Sequence, residues 1–205
     1  MDAGTPSDEP EVWDAGEPIV EPDIEQDAGP ILPYEGPLVE EVAVGHDSWT
    51  CARMSDGTVE CWGKNKWGQL GQGWRDEGGE DSLNTVPAPT VLPSSAVALL
   101  LVTGNNSTSV VTEHGSIYCW GSCPHRRPSN VHGQYIHTPE TVDAVEAGND
   151  MDVGWGHACV VSELGELTCW GSNWFGGLAT GDDVYPSEQP VSIASLSGVS
   201  QVALG

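Results

Sequence analysis

The 205-residue chain carries 6 Lys and Arg against 31 Asp and Glu, a formal net charge of −25 at pH 7. Binding a nucleic-acid duplex needs clustered basic side chains that displace counterions, so six scattered ones argue against that partner and against an anionic membrane surface. The longest apolar run, Ala96 to Val102, is far too short to span a bilayer.

Residues 1–37 differ from the rest: they hold seven of the 15 prolines, no Lys or Arg, and the triplet Asp-Ala-Gly at Asp2, Asp14 and Asp27. Such a segment cannot bury enough apolar surface to order itself, and a disordered acidic linker is expected. Its start has no basic stretch followed by an apolar one, so no signal peptide is visible in this sequence. From Leu38 onward an apolar stub ending in glycine recurs, at Val42–Gly45, Leu101–Gly104, Met151–Gly154 and Val202–Gly205, with glycines 59, 50 and 51 residues apart. A period of roughly 50 residues marks an array in which one unit cannot bury its own apolar face. The units are about 38–99, 100–150 and 151–200, with a fourth begun at 201–205. Their closing segments, around Pro87 and Pro89, Pro139, and Pro186 and Pro190, are expected at sheet edges, because proline cannot donate to a central ladder. Abundant glycine (26), proline (15) and tryptophan (9) suit short strands and tight turns, and the chain reads as all-β.

Between stub and closing segment lies a hairpin: TCARMSDGTVECWG at 50–63, TSVVTEHGSIYCWG at 108–121 and ACVVSELGELTCWG at 158–171. A three-residue loop ending at Gly57 places Cys51 opposite Cys61, whereas a two-residue loop would send the thiols to opposite faces. Facing residues at such a site have Cα atoms about 4.5 Å apart, within reach of a disulfide. Bridges Cys51–Cys61 and Cys159–Cys169 are therefore expected, with buried free thiols as the alternative. In the middle unit Ser109 replaces the first cysteine and a new one stands at Cys123, so a Cys119–Cys123 bridge would restore even pairing. Zinc is the competing account of six cysteines. Only Cys119 and Cys123 approach ligand spacing and no second pair accompanies them, so no metal and no cofactor is expected.

The phrase running from the entry glycine through Cys-Trp-Gly to Gly-Gln-Leu-Gly, best written at residues 42–73, resembles the regulator-of-chromosome-condensation repeat. Residues 152–181 give a second copy, in which Gly171, Asn173, Gly176, Leu178 and Gly181 match Gly63, Asn65, Gly68, Leu70 and Gly73. The middle copy departs after Cys119-Trp120-Gly121. The resemblance implies a β-propeller, seven-bladed in the family and here an incomplete array of three blades plus the start of a fourth, completed by residues beyond this chain. It implies equivalent positions between blades for Trp62, Trp120 and Trp170. The paired cysteines are similar to those of bacterial exported members, often lipoproteins with Asp-Ala-Gly spacers, which implies an extracellular, cell-surface, periplasmic or outer-membrane location.

No nucleophile, acid and base converge in the sequence, and an enzyme is not expected. His46 and His157 lie at different distances from their cysteines and are not equivalent. Candidate binding residues are Trp67, Trp74 and Trp174, since large aromatics dominate interface energetics, and His125, Arg126 and Arg127, the one basic cluster in an acidic molecule. The expected function is a binding or scaffold module of an exported bacterial protein, contacting a protein or glycan through loops on one rim. The alternatives are a nucleotide exchange factor for a small GTPase and an inhibitor of a secreted enzyme.

Overall fold

Short runs of β-branched and aromatic residues, punctuated by glycine turns, make each unit a four-stranded meander. The computed structural model describes residues 35–76, 84–126, 135–143, 145, 148–181 and 187–205; the expected linker lies outside them as far as residue 34. Blade 1 contains β1 (Val39–Gly45), β2 (Trp49–Met54), β3 (Val59–Gly63) and β4 (Asn84–Pro89). Blade 2 contains β5 (Ala98–Thr103), β6 (Ser107–Thr112), β7 (Ile117–Gly121) and β8 (Ile136–Thr141). Blade 3 contains β9 (Asp150–Val153), β10 (His157–Val161), β11 (Leu167–Gly171) and β12 (Ser187–Ser192). Each sheet is antiparallel in simple chain order, and among the described residues the only helical pieces are 3-10 turns at Pro124–Arg126 and Trp174–Gly176.

The central hairpins obey their turn chemistry. Gly57, Gly115 and Gly165 take φ of +77°, +77° and +76°, the left-handed conformation that closes a three-residue loop and that glycine adopts without strain. In blade 1 the Asp56 carboxylate accepts hydrogen bonds from the Thr58 hydroxyl and N–H, which hold it below its usual pKa. Cys51 then faces Cys61, and Cys159 faces Cys169. Both pairs are bonded with Cα atoms 4.1 Å apart, and Cys119 is bonded to Cys123.

The first strands of successive blades lie side by side, β1 against β5 and β5 against β9. Acids on these first strands bind backbone N–H groups of the stub that follows in the next unit. Four residues before the entry glycine, Glu41 accepts from the Leu101 N–H (3.0 Å) and Asp150 from the Val202 N–H (2.7 Å). Asp152 likewise accepts from Leu204 (2.7 Å). Residues 201–205 form no strand; two of their N–H groups are met by these carboxylates instead of by a sheet ladder. At the equivalent place in blade 2 stands Leu100, and the contact with blade 3 is apolar there, with Val153 filling the space beside Gly104.

The core sits between the sheets, around Trp49, Leu70, Val110, Trp120, Met151 and Trp170. Trp49 lies so close to Gly45 that an added Cβ would fall 2.2 Å from its ring, which explains why the stub of blade 1 must end in glycine. Trp120 and Trp170 are fully buried, while Trp62 is only half-buried. The difference follows from neighbours, since a described blade precedes the second and third of these tryptophans but not the first.

Candidate binding rim

In each blade the loop after the first strand and the loop after the third meet at one end. The N–H of Lys64 donates to Ser48 O, that of Ser122 to Asn106 O and that of Ser172 to Gly156 O, at 2.8–3.0 Å. The hairpin tips lie at the opposite end of each sheet. The loops at the first end form a rim, and two of them are stiffened by one buried asparagine. Asn65 accepts from the Leu70 N–H (3.1 Å) and donates to Trp74 O (2.8 Å). Asn173 accepts from the Leu178 N–H (3.0 Å) and donates to Thr180 Oγ1 (2.9 Å). With the loop fixed, Leu70 and Leu178 are driven into the core, both at 0% exposure.

The same loop receives the next blade. Gln69 O accepts from Trp120 Nε1 (2.8 Å) and from Thr108 Oγ1 (2.9 Å), while Thr108 Oγ1 in turn accepts from Trp49 Nε1 (3.2 Å). One indole and a hydroxyl thus share the Gln69 carbonyl across the blade boundary, and the second indole donates to that hydroxyl; all are buried, where each satisfied polar group avoids a desolvation penalty. Between blades 2 and 3 the pattern is lost: Ala158 stands in place of Thr108, and Trp170 Nε1 has no hydrogen-bond partner among the described residues.

This architecture recurs in known proteins. No family model matches the chain. The human ubiquitin ligase HERC2 is 27% identical over 176 residues, covering 83% of this chain and 4% of the ligase. The ultraviolet-B receptor UVR8 of Arabidopsis thaliana is 31% identical over 180 residues, 86% of this chain and 39% of the receptor. Among solved structures, Prp20, the RCC1 protein of Saccharomyces cerevisiae, superimposes with a TM-score of 0.61 at 24% identity, over 76% of this chain and 38% of that one. Human WBSCR16 superimposes with a TM-score of 0.63 at 20% identity, over 80% of this chain and 39% of that one. The chain carries RCC1-like repeats. It spans well under half the length of each of these relatives.

Within this RCC1-like frame the candidate residues separate by place. Trp67 is half-buried, its ring centroid 4.6 Å from that of Tyr135 in the next blade, with Lys66 Nζ 5.1 Å above it. It is a blade-to-blade contact. Trp74 is 40% exposed at the base of its loop, and Trp174 is 51% exposed. His125 is half-buried in the turn Pro124–Arg126, which packs on β10, β11 and β12 of blade 3; Arg126 ends that turn and Arg127 lies outside the described residues.

Repeat equivalence also finds what the sequence reading missed. Trp155, 64% exposed, follows the entry glycine of blade 3, and its loop is hydrogen-bonded to the loop that carries Trp174. Phe175 is fully exposed at φ +65° and matches Trp67, which in blade 1 packs on the next blade. Trp174 occupies the position of Lys66, which stays exposed although a blade follows it. Trp155 and Trp174 are therefore an exposed aromatic pair on adjoining rim loops of blade 3. Below them His157 is half-buried where Trp49 stands in blade 1. Burial pushes its pKa below the ordinary histidine value, and the Asp152 charge offsets that only in part.

Proposed function

We propose that this chain is a non-enzymatic binding module of an exported bacterial protein, docking a protein partner through the rim loops of its third blade. The observation that carries this reading is the pair Trp155 and Trp174, two large aromatics exposed on adjoining loops of a rigid sheet. Such residues bury much apolar area at small conformational cost and anchor interfaces. Residues 36–205 alone hold 20 acidic and 6 basic side chains, so the complementary partner surface is basic around an apolar centre. Three disulfides among the described residues, with no free cysteine, support an oxidising compartment. No described helix is long and apolar enough to cross a membrane. Yeast Prp20, similar in fold, has been solved bound to Kap60, which supports a protein partner for a propeller of this kind.

The test compares immobilised wild type with the double variant Trp155→Ala, Trp174→Ala, using surface and secreted proteins of the source bacterium. A partner retained by wild type, released by salt and lost by at least tenfold with the variant is expected. Equal capture by both proteins overturns the assignment of this rim. A glycan retained in place of a protein would overturn the partner class.

A further inference from the structure

One group of metal-ligating side chains stands out among the described residues: the donor atoms of Cys119, Cys123 and His125 all lie within 4.8 Å of one another. Sequence spacing had supplied only two of the three, because His125 gains its meaning from the turn that folds it back over the bridge. Repeat equivalence shows how the group arose. Cys123 stands where Asn65 and Asn173 stand in the other blades. Here a disulfide to Cys119, in the middle of β7, replaces carboxamide hydrogen bonds as the tether of the rim loop.

A second observation comes from across the sheet. Ser109 faces Cys119 in register, at the place where blades 1 and 3 put the partner cysteine. Its side chain therefore shares the face of Cys119, it is 1% exposed, and its hydroxyl has no hydrogen-bond partner among the described residues. A buried hydroxyl without a partner destabilises the fold. It gains one if an acceptor or an ion comes to the adjoining sulfurs.

We propose that this cluster is a redox-gated zinc-class site at the junction of blades 2 and 3. In the oxidised protein the bridge occupies both sulfurs and the site is closed. A dithiol reductant transfers two electrons and two protons to the Cys119–Cys123 bond, becoming a disulfide itself and leaving two thiols. A divalent ion then displaces both thiol protons and takes two thiolates and the His125 imidazole as ligands. Ser109, which faces Cys119 across the sheet, would supply a hydroxyl for the fourth position or for a water that fills it. The charge favours zinc over a monovalent soft ion, because two thiolates neutralise a 2+ ion and leave a buried site uncharged. The other two bridges lack a third ligand of this kind among the described residues. They would remain structural when this one opens.

The experiment uses the full chain, oxidised and after phosphine reduction under native conditions, titrated with Co2+ as a spectroscopic probe and then with Zn2+. Alkylation and mass mapping identify which bridge has opened, and circular dichroism reports the sheet. The expected result is one Co2+ per reduced chain with a thiolate-to-cobalt charge-transfer band, displaced by Zn2+, and no such band for the oxidised chain. His125→Ala, which keeps the bridge and hence the fold, should weaken Co2+ binding by at least tenfold. Absence of the band in the reduced chain, its persistence unchanged in His125→Ala, or loss of the sheet on opening Cys119–Cys123 would each overturn the proposal.

Discussion

One backbone carbonyl, that of Gln69, receives both the Trp120 indole and the Thr108 hydroxyl across the first blade boundary. Replacing Trp120 with Phe keeps an aromatic ring but removes one donor and leaves a gap, and about 2 kcal/mol of stability should be lost. Trp62→Phe, at the equivalent but half-buried position, should cost under about 1 kcal/mol, because solvent already reaches that ring. Urea unfolding of the two variants checks the contrast. His157 supplies a pH-dependent counterpart. Its folded pKa is depressed, so in acid the unfolded chain binds more protons, and stability falls as pH drops below about 6.5. His157→Gln should lose less melting temperature than wild type between about pH 7 and about pH 5, and equal losses would remove His157 from the account.

At the scale of single elements, the loop phrase of the repeat resolves into separate physical demands. Asparagine fixes the loop, leucine fills the core, and glycine makes room for the next blade's tryptophan. Gly71 sits at φ +66°, and a Cβ there would fall 2.8 Å from Trp120 Nε1. Gly71→Ala should therefore cost about 2 kcal/mol or more, combining backbone strain with a clash. Gly181 has a similar φ of +80° with no atom within 4 Å of an added Cβ. Gly181→Ala should cost about 1 kcal/mol, and denaturation curves for the pair separate conformation from contact. These elements were legible in the sequence because hairpin length, glycine and cysteine spacing are local. In the middle loop the Cys119–Cys123 bridge was legible from cysteine parity, whereas the place of His125 beside it was not, because that turn is set by packing on blade 3.

For the whole molecule, the bridges make the sharpest global prediction. Reduction and denaturation of protein purified from an oxidising compartment should add the mass of two hydrogens for each of the three disulfides. A protein that gains no mass would remove the case for export. The sequence by itself determined an array of all-β units about 50 residues long with tight hairpins, because strand alternation and turn glycines act over a few neighbours. The propeller arrangement was what the resemblance to a known repeat implied. Only the tertiary structure decided which aromatics are rim and which are seam. Lys66 and Trp67 are adjacent in sequence, yet one faces solvent and the other rests on Tyr135. By repeat equivalence Trp174 matches the solvent-facing Lys66, and Phe175 matches Trp67, which packs on the next blade in blade 1. The distinction depends on a contact between residues 68 positions apart, Trp67 and Tyr135, and no local pattern encodes a neighbour supplied by another blade.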